Sequence, residues 1–212
     1  MLPLKELIAQ GESQTLEFKF ELNSARRIAA TISAFANADG GTLLIGVKDN
    51  GVLAGIRIDE EIYMLEAAAS MYCFPPVELK TRRWDVDGKL ILEATIAPSL
   101  EKPVKAETEP GNSKAWLRYG ASNRLASPVH IELWKMDKTR KEPPAHFSEK
   151  EQRVLIALQD KKWLNLNQAS KISKLPRFTT ARTLAQFLRW DIVDCETDQA
   201  GGFIFVLKDD PF

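Results

Sequence analysis

Gly41 and Gly46 stand at the spacing of a phosphate-binding loop, G-x-x-x-x-G-K-[ST]. In such a loop the Lys reaches the phosphates and the hydroxyl holds magnesium. Here Val47 occupies the Lys position and Lys48 is followed by Asp49, so a Walker-type ATPase is not expected. Zinc chemistry fails on its ligand count. Cys73, Cys195, His130 and His146 are the whole Cys/His complement, and they are too scattered for a four-ligand site of the usual spacing. Two distant thiols also make no disulfide framework, which suits a reducing compartment. The third chemically useful set lies near the C-terminus. Arg177, Thr180, Arg182 and Gln186 sit in and just before a helix expected over Thr179–Trp190, with Arg189 near its end. Arg and Gln are good readers of base edges, and an Arg at a helix end suits a phosphate.

The elements that must position these groups follow from periodicity. Leu16, Phe18 and Phe20 alternate with Thr15, Glu17 and Lys19, which is a strand with one buried face. Ser24 caps a helix to about Ala38, with Ile28, Ala29, Ile32, Phe35 and Ala36 as its apolar stripe. Asn37, Gly40 and Gly41 are expected to end that helix in a left-handed turn and pass the chain into the sheet. Thr42–Val47 is apolar on both faces, as in a central strand. A hairpin partner is expected at Val52–Ile56, a helix at Asp59–Tyr72, and strands at Val77–Val86 and Lys89–Ala97. Further strands at Val104–Glu107 and Ala115–Arg118 precede a helix from Ser127 through Met136.

The charged, Pro-containing stretch 138–147 reads as a linker. Beyond it a capping box at Ser148–Glu151 opens the first of three helices, and strands at Ile192–Cys195 and Phe203–Leu207 follow. Three helices and a hairpin is the order of a winged helix-turn-helix. The hairpin carries Asp194, Glu196 and Asp198, which repel DNA, so protein contact stays open beside DNA reading for residues 148–212.

Two segments go beyond general α/β patterning. They are Glu12-Ser13-Gln14-Thr15-Leu16-Glu17-Phe18-Lys19 and the run from Ala34 through Asn37, Asp39, Gly40 and Gly41 to Gly51. At this separation they resemble the signature of the Schlafen AlbA-type domain, also labelled a divergent AAA ATPase domain. Lys102-Pro103-Val104-Lys105 and Leu117-Arg118-Tyr119-Gly120 are similar to the same family, although Arg118 precedes the aromatic residue where the family pattern has it following. The resemblance covers most of 1–137 and implies an α+β fold with a mixed sheet, followed here by the small winged helix-turn-helix. It implies nucleic-acid binding, DNA or RNA, by a transcriptional regulator. The alternative it implies is a metal-dependent ribonuclease in which Glu12, Glu17 and Asp49 hold Mg²⁺ or Mn²⁺ and Lys19 meets the scissile phosphate. A dimerisation or adaptor module is a third reading. Taken as residues alone, Glu17 and Lys19 are what any half-exposed strand presents, and Asp49 is a favoured turn residue.

The 212 residues are 44% hydrophobic and 27% charged, with 29 basic and 29 acidic side chains. That balance excludes a uniformly basic coat, not a local basic patch. No apolar run is long enough for a membrane span. The expected setting is soluble and cytoplasmic, without a membrane partner. A single lobe of a fold that pairs in lobes suggests a homodimer.

Overall fold

The computed structural model describes residues 3–136 and 146–208, which divide between two compact units, 1–126 and 127–212. Both mix helices with sheets, so the fold is α+β. The expected linker at 138–147 lies outside the described residues except for His146 and Phe147.

Unit 1 opens with α1 (Leu4–Ala9), β1 (Leu16–Lys19), α2 (Ala25–Asn37) and β2 (Gly41–Ile45). β1 and β2 are parallel, Leu16 opposite Thr42 and Lys19 opposite Ile45, and a parallel pair needs a crossover such as α2 between its strands. After α3 (Ile58–Met71) and the two-residue β3 (Cys73–Phe74) comes the hairpin β4 (Leu79–Val86) and β5 (Lys89–Ile96). Its turn is Asp87-Gly88, both at positive φ. The first sheet runs β1-β2-β5-β4. A second sheet runs β3-β6-β7-β8, with β6 (Lys105–Glu109), β7 (Asn112–Tyr119) and β8 (Ser122–Leu125).

The core explains this order. On one face of the first sheet α1 packs through Leu4 against Leu16, Phe18, Leu44, Val47 and Ile91. On the other face Ile32, Phe35 and Ala36 of α2 and Leu65, Ala68 and Ala69 of α3 meet Leu43, Ile45, Leu92, Ala94 and Ile96. The second sheet then covers the far side of α2. Nine of that helix's residues are consequently buried, including Thr31, Ser33, Ala34 and Asn37 outside the expected stripe. Small side chains on the second face let the sheet approach.

The expected strand at Val52–Ile56 does not form. That segment makes one isolated bridge, Val47 to Leu53, and then loops through Gly55 at φ +82°.

Unit 2 comprises α4 (Pro128–Lys135), α5 (Glu149–Gln159), β9 (Leu164–Asn165), α6 (Leu166–Ser173), α7 (Arg177–Arg189), β10 (Val193–Thr197) and β11 (Phe203–Leu207). Its antiparallel sheet has the order β10-β11-β9. The capping box at Ser148 is present: its hydroxyl accepts the Glu151 N–H, and the Glu151 carboxylate accepts the Ser148 N–H at 2.6 Å. The expected boundary moves, however. α4 falls in unit 2 rather than in the first domain, because Val129, Leu133 and Met136 join Leu184, Phe187 and Phe205 in its core. Phe147, expected in the linker, packs edge-on against Phe187 in the same core.

Candidate functional site

β1 brings Glu17 onto the α2 side of the sheet, where it is 4% exposed. Its carboxylate accepts from four side chains. Oε1 takes Lys19 Nζ at 2.7 Å and Thr31 Oγ1 at 3.3 Å. Oε2 takes Arg118 Nη1 at 2.5 Å and Asn123 Nδ2 at 3.2 Å. A carboxylate offers about four acceptor positions, so Glu17 has none left for a metal ion. Glu12 is occupied differently. Its Oε1 accepts the Phe18 N–H at 2.9 Å on the edge strand β1, so it closes an open backbone donor. Asp49 lies exposed in the turn that closes with the Gly51 N–H on Lys48 O at 2.7 Å. The expected trio does not assemble. Among the described residues no group of three Asp, Glu, His or Cys side chains is placed to hold a metal ion. Magnesium or manganese therefore does not fit these residues as they stand. Lys19, expected at a scissile phosphate, is instead the second cation on Glu17.

What β1 does carry is a buried polar clamp. Arg118, on β7, is 2% exposed and uses every N–H of its guanidinium. Beyond Glu17, Nε and Nη2 donate to Ser13 O at 3.1 and 2.8 Å, Nη2 to Leu16 O at 3.1 Å, and Nη1 to Asn123 Oδ1 at 2.9 Å. The planar cation also lies over the Phe35 ring, 4.9 Å from its centroid. Buried charge is tolerated only when paired and hydrogen-bonded, and here both partners are saturated. The clamp joins β1, α2 and the second sheet.

A second clamp starts from Asn37. The expected role of this residue in ending the helix is corrected: Asn37 is the last residue of α2, and its side chain is spent on the second sheet. Nδ2 donates to Val104 O at 2.7 Å and Trp116 O at 2.8 Å, and Oδ1 accepts the Val104 N–H at 2.8 Å. Ser33 Oγ joins it, donating to Val104 O at 2.8 Å. Gly40 does take the left-handed turn, at φ +76°, and a Cβ there would lie 2.6 Å from Ile96 O. Gly41 is required by space alone, since its Cβ would meet the Phe35 ring at 2.4 Å. Gly41–Ile45 is strand β2, not a loop opening a helix. A cleft of 570 Å³ lies nearby, between Phe20, Ile56, Arg57, Glu60 and Lys89, but its charges are mixed and Arg57 pairs with Glu60 across 3.3 Å.

In unit 2 the helix α7 is built as a two-sided element. Thr180, Ala181, Thr183, Leu184, Ala185 and Phe187 are buried against the core. Thr180, expected to face a ligand, is therefore removed from that set. It is 0% exposed, and its hydroxyl donates to Pro176 O at 3.2 Å. Arg177 and Arg182 are exposed, and Gln186 and Arg189 are half-buried. The Arg177 Nε–H donates to Asn167 Oδ1 of α6 at 2.9 Å, which fixes the direction of the guanidinium.

Behind α7, His130 of α4 is enclosed. Its Nδ1 accepts the Ser127 N–H at 3.3 Å, so the neutral ring carries its proton on Nε2, 3.8 Å from Cys195 Sγ. Burial pushes His130 down to about 4 and Cys195 up to about 12. At neutral pH the buried ring is neutral and the half-buried thiol protonated.

The family model described as Schlafen, AlbA_2 matches residues 12–127. The chain belongs to the Schlafen AlbA_2 family. The match lies within unit 1 but for its last residue, Ser127. Among solved structures, the DIP2311 protein from Corynebacterium diphtheriae is similar, at 17% identity and a TM-score of 0.48 over 92% of this chain and 34% of that one. The chain thus spans about a third of that protein's length. The N-terminal domain of a RecG-related protein from Nitrosomonas europaea is similar at 22% identity and a TM-score of 0.40, over 70% of this chain and 99% of that one. No curated protein sequence matches.

Two functional features escaped sequence reasoning. Arg118 was visible as part of the Schlafen AlbA_2 closing pattern, but nothing local marked it as the partner of Glu17. The other feature is a charge pattern hidden by the zero net charge. From Lys161 to Trp190, between Asp160 and Asp191, there is no Asp or Glu. The stretch holds Lys161, Lys162, Lys171, Lys174, Arg177, Arg182 and Arg189. All but Arg189 are exposed. Counting acids in a sliding window would have found it. Among the described residues no helix is long and apolar enough to cross a membrane.

Proposed function

We propose that this chain is a nucleic-acid-binding protein, a DNA-binding transcriptional regulator that reads duplex DNA with unit 2. The reading takes unit 2 as a winged helix, α5, β9, α6, α7, β10 and β11 in that order, with α7 entering the major groove. The observation that carries it is the acid-free basic stretch 161–190, displayed along α6 and α7 of a protein whose total charge is zero. Local clustering of cations is the electrostatic footprint of a phosphate ligand. Within it Arg182 and Gln186 are the base readers; Arg177, Lys171 and Lys174 meet phosphates. Two copies of the chain would place two such helices on half-sites about one helical turn apart.

Protein contact is the competing reading for unit 2, and the acidic hairpin is the observation in its favour. Two of the three acids have local work. Asp194 pairs with Lys208 at 3.3 Å, and Asp198 Oδ1 accepts the Gly202 N–H at 2.8 Å in the turn. Among the described residues Glu196 is the acid with no such partner.

Titrating the full chain into labelled duplex DNA over a salt series decides between them. DNA binding requires affinity that falls steeply with salt, and a Lys171→Ala variant whose log–log salt slope is smaller by about 1. Affinity unmoved by salt, or no duplex bound at low salt, ends the reading.

A further inference from the structure

The basic stretch also exposes three large apolar side chains that electrostatics does not explain, Trp163, Ile172 and, furthest out, Phe178. Phe178 is 64% exposed, the most exposed large apolar side chain among the described residues of unit 2. It follows Arg177 in the first turn of α7 and precedes Arg182 by four residues, so Phe178 and Arg182 share a helix face. Exposure of a phenyl ring there costs solubility and contributes nothing to the core, whose α7 face is already filled by Ala181, Leu184 and Phe187. A protein partner for this ring would need acidic groups around an apolar pocket. Duplex DNA supplies both parts at once, phosphates for the flanking cations and, in the major groove, the C5 methyl of thymine as an apolar base mark.

Resting on the reading of α7 as the groove helix, we infer that Phe178 is a specificity-determining residue that packs on a thymine methyl group. Arg182 reads a guanine on the same face. Four residues of helix rise about 6 Å, and base pairs stack about 3.4 Å apart, so the two bases lie roughly two steps apart. The first turn of α7 thus selects a thymine-containing site, while Lys171, Lys174 and Arg177 hold the backbone regardless of sequence.

The test uses the full chain and a library of duplexes with a randomised core. Selection is followed by resynthesis of the enriched duplex with uracil at every thymine, which removes only the methyl groups. Wild type is expected to lose about fourfold in affinity for each contacted methyl, the loss expected when one methyl-sized apolar group is no longer buried. Phe178→Ala is expected to bind the thymine and uracil duplexes alike, with its salt slope unchanged; the residue is exposed, so the fold survives. Equal affinity of the wild type for the two duplexes, with specific binding intact, overturns the inference and leaves the DNA reading standing. Failure of the wild type to bind any duplex overturns both, and binding of Phe178→Ala with the wild-type preference for thymine overturns the role of this ring.

Discussion

Glu17 and Arg118 bear on function by a route that catalysis does not share. Each neutralises the other inside the protein, so removing one leaves a buried charge without its main partner. Arg118→Ala is expected to destabilise unit 1 by about 3–5 kcal/mol, measured as a fall in the urea midpoint of the full chain. Glu12→Ala should cost less, about 1–3 kcal/mol, because it strands the single Phe18 N–H. A nuclease site would show the opposite signature, in which an acid can be removed with activity lost and stability kept. His130 supplies the pH dependence. Its folded value is about 4 against an ordinary 6.5, so the native ring stays neutral where the unfolded ring takes a proton. Its contribution is complete above about pH 6.5 and is lost as pH falls toward 4, up to about 3 kcal/mol. Denaturation of wild type and His130→Gln in parallel should show their stability gap closing across that window.

At the scale of elements, α2 decides the architecture. It is a helix with two buried faces, one apolar and one of small and polar residues, and each faces a different sheet. Gly41→Ala places a methyl against Phe35 on the apolar face and is expected to cost about 1–3 kcal/mol, again by urea midpoint. The first face was legible in the sequence because Ile28, Ile32 and Phe35 repeat at helical spacing. The second was not, since Thr31, Ser33 and Asn37 look like a solvated side until the second sheet supplies carbonyls for them. The same limit applies to α7, where Thr180 and Thr183 read as polar yet fill the core. Strands with alternation or a Gly turn, such as β1, β4 and β5, were readable. β8 and β9 were not, because Ser122–Leu125 and Leu164–Asn165 are too short to show a period. Of the candidate site, sequence order alone pointed to Arg177, Arg182, Gln186 and Arg189 on the accessible part of α7. It could not separate an acid that binds metal from one that seals a strand edge or pairs in the interior, because that difference lies in partners only the fold supplies: the Phe18 N–H for Glu12 and Arg118, 101 residues on, for Glu17.

For the whole molecule, the division at Ala126 has an experimental edge. A fragment that starts at Ser127 keeps α4 and its Val129 in the core of unit 2, whereas one that starts at Ser148 loses them. The longer fragment is expected to be more stable by about 2–5 kcal/mol, a difference thermal melts of the two would report. Placing the boundary in the Pro-containing stretch, as composition suggests, would produce the weaker fragment. The clamp on β1 also has a consequence in time. Glu17 is made early, and the arginine that neutralises it comes 101 residues later. At about 5–20 residues per second a ribosome takes roughly 5–20 s over that interval. During it the nascent first strand has Lys19 as the one cation beside Glu17 and lacks both Arg118 and the sheet that covers α2. The family motif at the N-terminus therefore cannot complete its clamp until β7 has been synthesised.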